Sequence, residues 1–464
     1  MSTPTQFDHD LFRVLLFRNC GRDVLLEFAP NGFRLPVVLI PRHTRAAEEI
    51  TAAIKSLWNL DTYCLFELPN AVSSGARLRT HIVEVCETHA NAPSGMQWLP
   101  ASSLCSGSFV DAGEYGTIEA SLAALENYRT GCLAGAFGRL GWFREVREWV
   151  RERASAVGLT LMENFRQLNA SPTFSLIRFE TNGPALWFKA VGEPNLHEYP
   201  ITLKLAATFP EFVPKLLGAR PDWNAWLAEE ADGEELCAGS TQGVWAFAAE
   251  NLALLQISSF GRRFELIGAG CKDLRPCSLA PLVDPFLTVM SGIMRRQTSQ
   301  RAEPLSTAEL HKLGSDLASS FRELEQSAIP NALGHLDMNP GNVVVSKSRC
   351  TFLDWAEAYV GLPFLSFEYL LNHFRRFQGL DRSRERSMRS AYARSWTCFG
   401  SWKDIASAFR VTPLLAVFSY AVEGMRWNEP QRGNPETDAY LRALTRRMKR
   451  ETEKLHEREL PCTL

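Results

Sequence analysis

Along the first forty residues, short apolar runs alternate with turn chemistry. "FRVLLFR", "DVLLEFA" and "PVVLIP" are separated by "NCGRD" and "APNGF", which is the pattern of strands bounded by turns. The apolar period then changes from two to three and four. In "TRAAEEITAAIKSLWNL" the residues Ala47, Ile50, Ile54 and Leu57 share one face, and Thr44 is the expected helix cap. "YCLFELP" and "THIVEVCET" return to strand character. From 116 to 155 the pattern is helical, ending in "GWFREVREWVRERASAVG". Its stripe of Trp142, Val146, Trp149 and Val150 among charges predicts a connector lying on a domain surface.

Beyond residue 160, "TFSLIRFET" and "ALWFKAVGE" flank "NGP", the signature of a hairpin turning at Asn182 and Gly183. Lys189 falls in the second of these strands between apolar neighbours, where a charge needs an anionic partner or a wet pocket. "NLHEYPITLKLAATF" reads as a helix that tolerates Pro200 in its first turn, with Glu198 placed to reach back to Lys189. Two more strands, in "VPKLLGA" and "WLAEEADG", precede a helix opening at "NLALLQISS".

At 464 residues the chain calls for two or three domains. Its 45% hydrophobic and 22% charged residues are globular proportions, and a net charge of −2 gives no footprint for nucleic acid or an anionic membrane surface. Eleven cysteines without a C-x-x-C pair read as reduced thiols of a cytoplasmic protein rather than a zinc site. "MSTPTQFDHDLF" has no basic start followed by an apolar run, and no stretch of about eighteen uninterrupted apolar residues occurs, so neither a secretory leader nor a spanning helix is expected.

The chemistry concentrates in "GHLDMNPGNVVVSKSRCTFLDW", from Gly334 to Trp355. Phosphoryl transfer asks a protein for held phosphates, a positioned hydroxyl and a base near it. Asp337 suits the base, and Asn342, five residues on, offers a neutral oxygen to magnesium. The run Val343 to Val345, a turn at "SKSR" and "CTFLD" return Asp354 beside it as a second ligand.

H-x-D-x-x-x-x-N followed by a strand ending in Asp-Trp resembles the catalytic loop and metal-binding aspartate of the aminoglycoside phosphotransferase and choline kinase superfamily, whose fold is similar to that of protein kinases. The resemblance implies a bilobal α+β fold, with a small β-rich lobe at 156–235 and a larger helical lobe at 236–464. It implies ATP and Mg2+ as cofactors and a small-molecule hydroxyl as acceptor. It makes Asp337 the base, Asn342 and Asp354 the magnesium ligands, Lys189 the phosphate-binding lysine with Glu198 as its partner, and His335 a brace of the loop. Glu229, Glu230 and Ala231 resemble the connecting strand that reads adenine through backbone groups. The order of elements in 1–115 resembles a Nudix domain, with 116–155 as a helical connector. Where that family places metal-binding carboxylates this chain has Ala52, Ala53, Ser56 and Leu57, and Glu48 and Glu49 read as a solvated face, so the domain is expected to be noncatalytic.

The departures concern the phosphate end and the acceptor. No glycine-rich loop covers the phosphates; "LNASPTFS" stands there, leaving Ser171, Thr173 and nearby N–H groups as candidate caps, and Ser366 replaces an aspartate that usually supports the catalytic loop. After Leu371, eighteen Lys and Arg against eleven Asp and Glu disfavour a polycationic acceptor. "RRF" and "RSRERSMR" are candidate contacts for an anionic or neutral one, Glu368 and Glu423 are the acids placed to reach a ligand, and Phe418, Tyr420 and Trp427 are candidate walls or core. The alternative function is a noncatalytic nucleotide-binding sensor.

Overall fold

The computed structural model describes residues 9–18, 21–68, 78–87, 89–299, 301–379, 382–423, 427 and 435–457. Residues 1–8, read above for a leader, lie outside them. Two compact units form, both mixing helix and sheet: residues 1–199 with 215–230, and residues 200–214 with 231–464.

In the first unit, β1 (His9–Arg18), β2 (Asp23–Ala29), β3 (Gly32–Arg34) and β4 (Val37–Pro41) precede helix α1 (Ala46–Trp58); β5 (Thr62–Glu67), β6 (Arg79–Val85) and β7 (Met96–Pro100) complete a seven-stranded sheet. β1 runs antiparallel to β2 and β4 and parallel to β6. Its continuous apolar run follows from burial on both faces. Phe12, Val14 and Leu16 pack toward α1, while Leu15 and Phe17 join a second core on the other side. α1 departs from expectation at both ends. Its cap is Arg45, the Thr44 hydroxyl bonds the Pro41 carbonyl instead, and Leu57 is 63% exposed because the buried face ends at Ile54.

The stretch read as a surface connector is two helices, α2 (Ala112–Thr130) and α3 (Trp142–Ala156). Trp142, Val146 and Val150 of α3 are buried, because the helix packs between the seven-stranded sheet and a second sheet. That second sheet, in the order β11 (Leu216–Arg220), β12 (Ala225–Glu229), β10 (Leu186–Ala190), β9 (Ser175–Thr181), β8 (Leu161–Ala170), gives Ile177, Phe179, Leu186, Phe188 and Leu227 to the α3 core. Strand alternation turns Lys189 and Trp226 to its other face. Glu48 is not simply solvated: it pairs with Arg166 of β8.

α4 (Glu198–Thr208) begins in the first unit and continues into the second. There β13 (Glu234–Glu235), α5 (Gln242–Ser259), α6 (Arg263–Gly268), β14 (Lys272–Leu274), α7 (Pro276–Leu279), α8 (Val283–Arg295) and α9 (Thr307–Glu325) lead to four short strands, β15 (Ala332–His335), β16 (Val343–Val345), β17 (Cys350–Phe352) and β18 (Ala358–Gly361). α10 (Phe364–Gln378), α11 (Arg382–Trp396), α12 (Trp402–Glu423) and α13 (Pro435–Glu457) close the unit. The strands form two three-stranded sheets, β13-β16-β17 and β14-β18-β15, set among the helices. By length and composition alone, two helical stretches among the described residues, Pro276–Arg295 and Trp402–Glu423, are apolar enough to cross a membrane. The second buries 78% of its apolar window in the core, which accounts for its composition.

Candidate active site

β15 delivers the loop. Antiparallel pairing sets Gly334 opposite Tyr359 and His335 opposite Ala358. A Cβ on Gly334 would lie 2.0 Å from the Tyr359 ring, so only glycine fits there. His335 is 1% exposed, and its two ring nitrogens divide the work. Nδ1 accepts from the Asp337 N–H at 3.1 Å, and Nε2–H donates to the Leu353 carbonyl at 3.1 Å. Burial pushes the His335 pKa down, which keeps the imidazole neutral as the accepting Nδ1 requires. Trp355 packs against the ring, with centroids 5.0 Å apart.

The β16–β17 hairpin, with Val343 opposite Phe352, brings the other groups in. Its ladder runs one step further, the Leu353 N–H donating to the Asn342 carbonyl at 2.8 Å. Asn342 Nδ2 donates to the Asp337 carbonyl at 3.0 Å and lies 3.3 Å from Asp337 Oδ2. Leu353 therefore ties Asn342 and His335 to the segment that Asp354 continues. Asp354 takes a left-handed conformation (φ 61°), which aspartate tolerates better than most residues. Both Asp337 and Asp354 are exposed.

Ser366, at the position expected to be an aspartate, supports the loop with a hydroxyl. Its Oγ accepts from the His335 N–H at 2.7 Å and contacts Tyr359 Oη at 3.0 Å, while Tyr359 Oη donates to the Leu362 carbonyl at 2.9 Å. Burial pushes the Tyr359 pKa up, so this anchor stays a neutral phenol. The contribution of Tyr359 was missed in the sequence, where only its register against Gly334 could have signalled it.

The charges near Asp337 differ from the bulk count. A hydrogen bond with Tyr440 and burial push Tyr420 up to about 12, and the negative charges of Glu357 and Asp337 act in the same direction. Burial raises the Glu423 carboxyl; Lys272 opposes this, and Glu357 and Asp273 add to it. Lys272 is paired with Glu357 and Arg275 with Asp273, whereas Glu423 has no ion-pair partner among the described residues. Glu368, read as ligand-facing, is instead 4% exposed and bound to Arg375. Arg375 and Arg389 of the basic runs close on Glu385, so these runs build the α10–α11 contact. Phe418 and Trp427 are core.

Lys189 belongs to the first unit. Its Nζ lies 2.6 Å from Glu198 Oε1, with side-chain exposures of 14% and 2%, and 5.7 Å from the centroid of the Trp226 ring. The loop at Ser171 and Thr173 is closed on itself. Ser171 Oγ accepts from the N–H groups of Thr173 (3.3 Å) and Phe174 (2.9 Å), and the Ser171 N–H goes to the Phe174 carbonyl. Those three amides, expected as phosphate caps, are thus already engaged. Glu229 and Glu230 give their N–H groups to the Lys215 and Ala185 carbonyls, and the Glu230 carboxylate accepts from Arg178 and Trp187; Ala231 is where the chain returns to the second unit.

Among the described residues no group of three or more His, Cys, Asp or Glu side chains could hold a metal ion by itself. One carboxylate and one amide oxygen fit magnesium, which takes its remaining ligands from phosphates and water. With Asn342 Nδ2 turned to Asp337, its Oδ1 is left for that purpose.

No protein-family profile matches the chain, and no curated protein matches it. Three solved structures illustrate what it is similar to. Macrolide 2'-phosphotransferase MphH from Brachybacterium faecium is 16% identical, with 64% of this chain and 97% of that one covered and a TM-score of 0.43. Choline kinase from Cryptosporidium parvum Iowa II is 9% identical over 68% and 96%, with a TM-score of 0.46. Plasmodium vivax ethanolamine kinase is 14% identical over 63% and 82%, with a TM-score of 0.41.

Proposed function

We propose that the chain is an ATP- and magnesium-dependent phosphotransferase acting on a hydroxyl of a small molecule, built on a bilobal protein kinase-like fold. One arrangement carries the reading: Asn342 holds the Asp337 loop through its Nδ2, while Leu353 links Asn342 to the segment of Asp354. Asp337 takes the hydroxyl proton as the acceptor oxygen attacks, and His335 fixes the Asp337 backbone so that its carboxylate keeps one position. Asn342 Oδ1 and Asp354 would hold magnesium, which when bound neutralises phosphate charge. Lys189, oriented by Glu198, is the candidate phosphate contact. Glu423, which has no ion-pair partner among the described residues, and the Tyr420–Tyr440 pair favour an acceptor that carries an amine beside its hydroxyl, in place of the anionic or neutral one that the count of basic residues suggested.

Residues 1–115 are read as a noncatalytic Nudix-like domain, since α1 presents no carboxylate set and its Glu48 is tied to Arg166. We place the chain in the cytoplasm on the ground that its eleven cysteines lack a C-x-x-C pair and are irregularly spaced; the nine described ones are free thiols.

The test is magnesium-dependent ATP consumption across a panel of amino alcohols. Turnover is expected in the native chain and should vanish in Asp337→Ala and Asp354→Ala at unchanged melting temperature; absence of turnover with every acceptor counts against the reading. The engaged amides of the Ser171 loop favour a second one, a nucleotide-binding sensor without turnover. It predicts thermal stabilisation by ATP with no consumption.

A further inference from the structure

The first unit holds a cavity of about 230 Å³ that the phosphotransfer reading does not use, lined by Tyr63, Glu84, Cys86 and the α3 residues Arg144, Arg147 and Arg151. The three arginines are spaced i, i+3 and i+7, which aligns them along one side of the helix. Tyr63 and Glu84 are cross-strand partners of β5 and β6. Glu84 is 6% exposed; its Oε2 accepts from Tyr63 Oη and from the Gly141 N–H at 2.8 Å, and its Oε1 has no donor among the described residues.

The arginines are underused. Arg144 and Arg151 have no ion pair within 4 Å among the described residues, Arg144 acting on Glu84 only through its charge, and the buried Nε of Arg147 has no acceptor there. The one carboxylate that Arg147 binds, Glu163, is 86% exposed, so water screens that pair and a ligand can replace it. Glu148 also lines the cavity and leaves a net positive lining. Burial holds the Cys86 thiol at about 12, so no covalent chemistry is expected of it.

We propose that this cavity binds a small phosphomonoester, its phosphate toward Arg144, Arg147 and Arg151 and its hydroxyl hydrogens toward Glu84. Guanidinium forks match phosphate oxygens in pairs, and a carboxylate sheltered from water selects a ligand that brings donors to it. The volume equals about seven or eight waters and falls below the roughly 300 Å³ of a drug-sized site. It suits a phosphate on a short polyol and is too small for a nucleoside triphosphate.

Calorimetric titration of the full chain in EDTA keeps magnesium-dependent chemistry out of the measurement, so its result is independent of the phosphotransfer reading. The probes are glycerol 1-phosphate, ethyl phosphate, inorganic phosphate and glycerol. Saturable binding of glycerol 1-phosphate is expected, stronger than that of ethyl phosphate or inorganic phosphate, with none for glycerol. Arg144→Ala/Arg151→Ala should weaken it by about tenfold or more; both side chains are exposed, so folding should be kept. Glu84→Gln should reduce the preference for glycerol 1-phosphate over ethyl phosphate. If that variant does not fold, the same preference in the native chain reads the same contact. Undiminished binding in the double arginine variant, no binding of glycerol 1-phosphate, or equal binding of all three phosphates would overturn the proposal.

Discussion

Replacing His335 by glutamine or asparagine separates the two hydrogen bonds that its ring makes. Asparagine places an oxygen near the position of Nδ1 and can still accept from the Asp337 N–H. Glutamine places an amide nitrogen near Nε2 and can still donate to the Leu353 carbonyl. Alanine loses both bonds and the packing against Trp355. Each bond contributes about 1 kcal/mol net, and removal of a fully buried ring adds about 2 kcal/mol for the space left behind. The expected losses are therefore about 4 kcal/mol for His335→Ala and about 1–2 kcal/mol for each amide variant.

Urea unfolding supplies the totals, and native-state hydrogen exchange of the segments 333–345 and 350–357 assigns them. Exchange at the Asp337 amide should accelerate in the glutamine variant and much less in the asparagine variant. Turnover, where present, should fall more in kcat than in the KM for ATP, since a displaced base of about 1 Å costs on the order of a hundredfold. Identical exchange at Asp337 in native, glutamine and asparagine chains would refute the reasoning, as would a loss below about 1 kcal/mol in His335→Ala.

Two further expectations concern charge. Burial alone would push Glu385 up, but Arg375 and Arg389 outweigh it and hold the carboxyl at about 2; against an unfolded value of about 4.3 this corresponds to about 3 kcal/mol, or about 2 kcal/mol after solvent screening. The folded value lies below the unfolded one, so the contribution is complete above pH of about 4.3 and is lost as pH falls toward 2; Glu385→Gln should unfold more easily at pH 7 and lose that difference in acid, read by urea midpoints at several pH values. Burial raises Glu423, so its ionisation costs stability as pH climbs through its folded value, and Glu423→Gln should gain relative stability at pH 7 over pH 4 while raising the KM of an amine-bearing acceptor but not that of ATP.

The readable parts of this sequence are those governed by local period and spacing. The hairpin of β9 and β10, the helix starting at Glu198 and the interval from His335 to Asp354 all follow from residues near one another in the chain. The ion pair of Lys189 and Glu198 was legible because only a short connection separates the strand that holds one from the helix that the other opens. The use of α3 was not, because a stripe of Trp142, Val146 and Val150 among charges looks the same on a surface connector as on a helix filled in from both sides. Glu368 and Glu423 illustrate the same limit. Both are acids among apolar neighbours in sequence, and only the folded helices show that Arg375, two turns on along α10, takes Glu368, while Glu423 at the end of α12 is buried with no ion-pair partner among the described residues. The Ser171 loop offered donors by composition, and its own turn consumed them.

The double-sided role of α3 has a consequence for truncation. Residues 1–115 resemble a separate domain in the sequence, which suggests that a chain of residues 157–464 would keep the proposed phosphotransfer site. The core argues otherwise. Ile177, Phe179, Leu186 and Phe188, on the face of the sheet opposite Lys189, pack with Phe137, Trp142, Phe143, Val146 and Val150, and α3 in turn packs on Leu15, Phe17, Tyr63 and Ile82. Cutting before residue 157 exposes four large apolar side chains of that sheet, at about 1.5–3 kcal/mol each. The sum, about 6–12 kcal/mol, is as large as the whole stability of an ordinary domain. Cutting between 100 and 112 keeps α3 but bares its other side. In both products the sheet carrying Lys189 should lose its cooperative transition while the second unit, which has its own core, can keep one, and both should bind a hydrophobic dye. A soluble 157–464 chain with the native chain's melting temperature would mean that the sheet carrying Lys189 is supported from within, and that the shared core contributes little to it.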